Sequence, residues 1–303
     1  MKFMPHCHMS QFWEWVELPA DEMRWNLFLL EQAQSPSELP ISAIQRHPSR
    51  SRRNSKSCYE NVVSDLFQMR SGELMSDKSP IILALDFPDI EETATMIRET
   101  SHSISIYKLG LEFFLAHGKP GIREIQSHFP EIEIFLDLKL HDIPNTVAGA
   151  SASVSDLAPR FLTVHASGGA EMVAAAVKKL PLTSVTAVTI LTSLDATELR
   201  QLGLPEDSQN LAVSLARRAM SAGARSIVCS PHEASAMRKA LGSEVTIITP
   251  GVRPMGSNRD DQNRVMTPRA ARDEGADYVV IGRPITHAHD PGAVAEEIKQ
   301  SLI

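Results

Sequence analysis

Eight short runs rich in Ile, Val and Leu, helix signals between them, and polar residues where most runs end predict an α/β protein folded as a closed (β/α)8, or TIM, barrel. The runs occupy residues 81–86, 104–109, 132–139, 161–165, 185–191, 226–230, 245–249 and 278–282. Their nearly continuous apolar character is that of strands covered on both faces, the environment of parallel strands joined by helical crossovers. Eight such units in about 225 residues fit a barrel, with a doubly wound open sheet as the structural alternative. The first crossover opens with Asp89 and Glu92 at capping-box spacing. Thr267-Pro268 and Asp290-Pro291 each read as an N-cap followed by proline at the first helical position. Val294, Ile298 and Leu302 repeat along one face of the last helix.

Composition narrows the function before any motif is considered. The chain has 303 residues, of which 43% are hydrophobic and 22% charged, enough for a sizeable core. With 30 basic against 37 acidic side chains, its net charge of −7 gives no general attraction to nucleic acid or an anionic membrane. Cys7, Cys58 and Cys229 are too few and too dispersed for a disulfide framework or a structural zinc site. The expectation is a cytoplasmic protein acting on a small molecule.

The strand ends carry the chemistry. The first run closes with Asp86, the second reaches Lys108, the third Asp137 and Lys139, the fourth His165, and Thr192 follows the fifth. The seventh runs into Gly251-Val252-Arg253 and the eighth into Gly282-Arg283. In a barrel these ends form the reactive face. The densest cluster is the string DLKLHDIPNT from Asp137 to Thr146. Side chains alternate along a strand, so Asp137 and Lys139 are expected on one side, with Leu138 and Leu140 on the other. A buried ion pair adds little net stability, which favours a catalytic use of the pair. With Asp142 close by, opposite charge favours the protonated lysine, a general acid. Glycine and arginine after strands seven and eight suit an anion site, because backbone N–H groups can approach and guanidinium donates in pairs. The polar stretch 256–267 between them has the composition of a lid.

From about Ser79 onward the sequence resembles the orotidine 5'-phosphate decarboxylase family, over about three quarters of the chain. The Asp-x-Lys-x-x-Asp signature is met by Asp137, Lys139 and Asp142 within DLKLHDIPNT. The similarity extends to LALD ending at Asp86, YKLG with Lys108, VHASGG from Val164, VTILTS with Thr192, TPGVRP with Arg253 and VIGRPI with Gly282 and Arg283. The resemblance implies decarboxylation of orotidylate to UMP with no metal and no cofactor. It implies that Lys139, Asp137, Asp142 and Lys108 carry the chemistry, and that Asp86 and Lys108 hold the ribose. Thr192 would contact the pyrimidine, while Arg253, Gln262, Gly282 and Arg283 would grip the phosphate, Gln262 being delivered by the lid. Asp142 and Thr146 would complete the site of a neighbouring copy, so the implied active form is a homodimer. His165 and Ser167 are expected behind the contacting groups.

Two rivals are weighed against this. A sugar-phosphate lyase or synthase with the same Asp-x-Lys-x-x-Asp motif would use a metal ion, and needs further carboxylate ligands that do not stand beside Asp86 or Asp137. A non-catalytic nucleotide-phosphate sensor would have no need of Asp137, Lys139 and Asp142 together.

Residues 1–75 differ in kind from the rest. They hold all three tryptophans and only Gly72 of the fifteen glycines, and a run rich in Arg and Ser falls at 46–56. They are expected to form an irregular or partly helical N-terminal extension to a barrel spanning 76–303, with a short amphipathic helix over 13–32 and a disordered polar stretch over 35–57. Eight basic and nine acidic side chains make a nucleic-acid-binding arm through Arg50, Arg52, Arg53 and Lys56 the weaker alternative. The simpler expectation is that translation begins at Met75. Intact mass of the product of the native gene tests it: a species starting at Met75 is expected, and one starting at Met1 contradicts it.

Overall fold

The computed structural model describes residues 79–253 and 266–302. The expected N-terminal extension, its helix and polar stretch, Met75, and residues 256–265 of the expected lid, Gln262 included, lie outside the described residues. Eight parallel strands close into a barrel in sequence order. They are β1 Ile81–Leu85, β2 Ile106–Gly110, β3 Glu133–Leu140, β4 Phe161–His165, β5 Ser184–Val188, β6 Ser226–Val228, β7 Thr246–Thr249 and β8 Tyr278–Ile281. Closure comes from β1 pairing with β8, with Ile82 opposite Val280, which excludes the open sheet. The crossovers carry α1 Ile90–Thr100, α2 Leu111–His128, α3 Pro144–Val154, α4 Ala170–Lys179, α5 Ala196–Gln201, α6 Ser208–Ser221 and α7 Ala234–Leu241. They continue with α8 Pro268–Asp273, α9 Arg283–Thr286 and α10 Pro291–Leu302. Among the described residues no helix is long and apolar enough to cross a membrane.

Helix starts follow the capping residues. Asp89 accepts from the Glu92 N–H at 2.8 Å, and Thr267 from the Ala270 N–H at 3.2 Å ahead of Pro268. Asp290 accepts from the Ala293 N–H at 2.9 Å. Two expected strands end at least two residues before their runs do: β6 stops at Val228 instead of residue 230, and β5 ends at Val188 instead of reaching residue 191. The Thr189 N–H still bonds the Val228 carbonyl, but Ile190 and Leu191 leave the sheet to wall the barrel mouth. Ile190 is buried against the cleft rather than in a ladder, while Leu191 is 38% exposed at the mouth.

The two-residue period of each strand divides the core into two shells. Ile82, Ala84, Ile106, Phe135, Phe161, Ile248, Tyr278 and Val280 form the interior cluster. Their neighbours, among them Ile81, Leu83, Leu85, Tyr107 and Leu109, pack outward beneath the helices. Continuing the inner series along the chain leads from Ala84 to Asp86, from Ile106 to Lys108, from Phe135 to Asp137 and from Phe161 to Thr163. The same alternation that fills the barrel floor with hydrocarbon therefore delivers polar groups at its C-terminal end.

The N-terminal end is closed by aromatic rings and one arginine. Phe161 meets Phe135 and Tyr278 edge-on, with centroids 5.5 and 5.9 Å apart. Arg160 donates to both carboxylate oxygens of Glu133 at 3.0 and 3.1 Å and to the Tyr278 hydroxyl at 3.0 Å. Its guanidinium also lies over the Phe161 and Tyr278 rings, 5.2 and 5.8 Å from their centroids. A bidentate pair that also stacks on rings joins the starts of β3, β4 and β8. Because both charges keep about a fifth of their side-chain surface in water, the full cost of breaking a buried pair does not apply. Arg160→Ala is expected to lower unfolding free energy by about 2 kcal/mol in urea titrations. A loss under about 0.5 kcal/mol would show that the cluster is not a structural clamp.

Candidate active site

A cleft opens at the C-terminal mouth of the barrel. Asp86, Lys108, Asp137 and Lys139 line one side, and Gly251, Val252, Arg253, Gly282 and Arg283 line it from the loops after β7 and β8. Thr192 and an apolar wall of Val188, Ile190, Leu191, Val228 and Val280 complete it. Seven strand ends thus converge, as the sequence placement of polar residues requires of a barrel. On the side formed by the loops after β7 and β8, Gly251 has φ +79°, a left-handed conformation that glycine adopts without a Cβ clash. The bridge between Val252 and Met266, with the Arg253 N–H donating to the Met266 carbonyl at 2.9 Å, brings together the two ends of the loop that follows β7.

The charged side is a continuous relay of alternating sign. Lys108 Nζ donates to Asp86 Oδ1 at 2.9 Å and lies 3.5 Å from Asp137 Oδ2, while Lys139 Nζ donates to that same Oδ2 at 2.7 Å. Asp137 is buried, and burial by itself raises a carboxyl pKa. The Lys108 and Lys139 charges, with hydrogen bonds from Lys139 and Thr163, outweigh that and hold Asp137 below the usual carboxylate range. Burial by itself lowers the Lys108 ammonium, but the carboxylates of Asp137 and Asp86 raise it above its ordinary value. The two groups therefore stabilise each other as ions. Among the described residues no group of three or more His, Cys, Asp or Glu side chains is arranged to hold a metal ion.

The local backbone is irregular where the charges meet. Leu136 pairs with Leu162 and Leu140 with Val164, so three residues of β3 stand opposite the single residue Thr163 of β4. Within this bulge Lys139 has φ +48°, one of two positive values at non-glycine positions among the described residues. The Thr163 hydroxyl accepts from the Lys139 backbone N–H at 2.8 Å and donates to Asp137 Oδ1 at 2.8 Å. Simple alternation, which the sequence suggested for Asp137 and Lys139, gives the right convergence without the bulge that produces it.

Of the residues expected at the site, Asp86, Lys108, Asp137, Lys139, Thr192, Arg253, Gly282 and Arg283 line the cleft. Asp142 and Thr146 do not line it within one chain: both are exposed, and Asp142 Oδ1 accepts the Ile143 N–H at 2.6 Å. Gln262 lies outside the described residues. His165 is half-buried with its ring 5.1 Å from that of His141; burial, His141 and Lys139 together push its pKa down. Ser167 is exposed. Ile190, Leu191 and Thr163 were not singled out from the sequence, although Thr163 stands two residues before His165 on the inner series of β4.

Comparison with known proteins covers the same span. A model described as "Orotidine 5'-phosphate decarboxylase / HUMPS family" matches residues 79–298. The orotidine 5'-phosphate decarboxylase of Thermobifida fusca (strain YX) is 51% identical over 224 residues, 74% of this chain and 96% of the relative. That of Anaeromyxobacter sp. (strain K) is 46% identical over 229 residues, 75% of this chain and 100% of the relative. The crystal structure of orotidine 5'-phosphate decarboxylase from Lactobacillus acidophilus superimposes with a TM-score of 0.65 at 34% identity, covering 74% of this chain and 99% of the other. A match running from two residues before β1 into α10, on a closed barrel whose mouth carries the Asp-x-Lys pair, makes this chain a member of the orotidine 5'-phosphate decarboxylase / HUMPS family.

Proposed function

We propose that the protein decarboxylates orotidine 5'-phosphate to UMP and carbon dioxide in de novo pyrimidine synthesis, and that Lys139 protonates C6. The observation that carries this reading is the 2.7 Å contact of Lys139 with buried Asp137, in a mouth that also holds Arg253 and Arg283. When the bond from C6 to the carboxyl group breaks, its electron pair stays on C6. A preorganised cation beside that atom stabilises the developing charge and then supplies the proton that forms the new C–H bond. In this reading Asp137, paired with Lys139, repels the departing carboxylate. Its own charge is sustained by Lys108 and Lys139, so the repulsion persists in a site partly shielded from water.

The rest of the cleft suits a nucleotide. Asp86 and Lys108 hold the ribose hydroxyls, Thr192 and the wall of Ile190 and Leu191 receive the pyrimidine, and Arg253, Gly282 and Arg283 bind the phosphate together with Gln262. Phosphate binding far from C6 contributes to catalysis by closing the site around the charged relay. The chemistry requires neither a metal nor an organic cofactor. We assign it to residues 76–303, with 1–75 as an appended segment, and to the cytoplasm, which suits a small-molecule reaction and the free, buried Cys229.

The active form in this reading is a homodimer in which Asp142 and Thr146 complete the site of the other copy. Their exposure in a single chain supports it, as do Ile143 and Leu115, which are 66% and 80% exposed. Two experiments test the proposal. Loss of orotidylate absorbance on adding protein in EDTA-containing buffer is expected, and Lys139→Ala is expected to cut kcat by at least about 1,000-fold. No turnover by the unaltered protein, or turnover that needs added metal, contradicts the reading. Mixing Lys139→Ala with Asp142→Ala subunits is expected to restore up to about a quarter of full activity, from the one intact site of each mixed dimer. Inactive mixtures that demonstrably exchange subunits would place Asp142 and Lys139 in the same chain's site.

A further inference from the structure

We propose that Thr163 is a positioning residue of the reaction: its one hydroxyl ties the backbone of Lys139 to the carboxylate of Asp137 and so fixes the proton donor relative to the group that repels the leaving carboxylate. This rests on the decarboxylase reading of the site. Thr163 is fully buried on the inner series of β4, opposite the three bulged residues of β3. A hydroxyl has one proton and two lone pairs. Here the Lys139 N–H can only donate and an ionised Asp137 can only accept, so the proton must point to Asp137 Oδ1 while a lone pair takes the amide. The orientation is determined by its neighbours.

Both bonds act on features the reaction needs. The bulge takes the Lys139 amide out of the regular ladder, and the backbone there adopts φ +48°, a conformation a lysine visits only when its surroundings hold it. The Thr163 hydroxyl supplies the acceptor that this part-buried amide, displaced from the ladder, needs. On the other side, Asp137 uses Oδ2 for the two ammonium groups and Oδ1 for Thr163. The hydroxyl therefore stops the carboxylate from rotating about its Cβ–Cγ bond, which would otherwise carry Oδ2 away from both cations. Thr163 is not part of the cleft lining and reaches the site through Lys139 and Asp137, so its effect is assigned to the chemical step rather than to direct substrate contact.

Thr163→Val keeps the shape and removes the hydroxyl, whereas Thr163→Ser keeps the hydroxyl. For Thr163→Val the expected result is a fall in kcat of roughly 10- to 100-fold, as for a slight misplacement of reacting groups. KM for orotidylate should stay within about threefold, and Thr163→Ser should recover most of kcat. A second measurement needs no turnover: the 13C titration of the Asp137 carboxyl in the free protein. The charged or titratable groups facing Asp137 are Lys108, with Asp86 behind it, Lys139, and His165 on β4. These are unchanged by the substitution, so losing the Thr163 donor should move the titration to higher pH in Thr163→Val and leave it in place in Thr163→Ser. Should Thr163→Val fail to fold, Thr163→Ala carries the same comparison. An unmoved titration overturns the inference, as does unaltered kcat or a kcat loss that serine does not restore. If the unaltered protein does not turn over orotidylate, the decarboxylase reading fails, and the titration alone decides whether Thr163 governs Asp137.

Discussion

The carboxylate of Asp137 is taken almost wholly out of water, and a lone anion there would be expelled by the cost of desolvation. It is retained because two ammonium groups share its Oδ2, at 2.7 Å from Lys139 and 3.5 Å from Lys108, and a threonine hydroxyl occupies its Oδ1. Each cation is likewise tolerable because the anion is there. Remove Asp137 and the largely buried Lys108 keeps a charge that the barrel mouth solvates poorly; remove either lysine and Asp137 loses part of its compensation. The Asp137–Lys139 pair is thus held together by mutual neutralisation, on the strand that delivers both side chains.

The barrel makes that rigidity possible by separating two tasks along one axis. Its floor is hydrocarbon and aromatic, closed by Arg160 with Glu133 and Tyr278, and contributes cohesion. Its mouth is polar, and there the inner side chains of β1, β2, β3 and β4 meet as Asp86, Lys108, Asp137 and Thr163. Because successive strands pair in parallel, every one of these side chains points to the mouth from the same end of the sheet. Interior packing density then transmits the position of one strand to the next with little slack.

Much of this could be read from the chain. The strands fall within a few residues of the apolar runs, Thr267 and Asp290 cap helices as their proline neighbours suggest, and the strand-end residues Asp86, Lys108, Asp137 and Lys139 share one cleft. These features depend on local pattern, which sequence expresses directly. The bulge in β3 does not: DLKL reads as a regular strand, and the reason it is not regular is a hydroxyl 24 residues beyond Lys139. The aromatic and arginine floor is hidden for the same reason, since Arg160 and Tyr278 lie 118 residues apart in sequence. The apolar run through Ile190 and Leu191 reads as strand, but Ile190 is buried against the cleft, which leaves the same apolar trace as a sheet, and Leu191 is exposed at the mouth. Asp142 and Thr146 show the remaining limit, because a motif can name a residue whose place in one chain is away from that chain's cleft.

The central claim concerns one nitrogen atom, and a crystal structure of the protein with UMP bound examines it most directly. The account predicts Lys139 Nζ within about 3.5 Å of pyrimidine C6, in line to deliver a proton, while still hydrogen-bonded to Asp137. An Nζ turned toward solvent, or one that has left Asp137 to bind the phosphate, would contradict it.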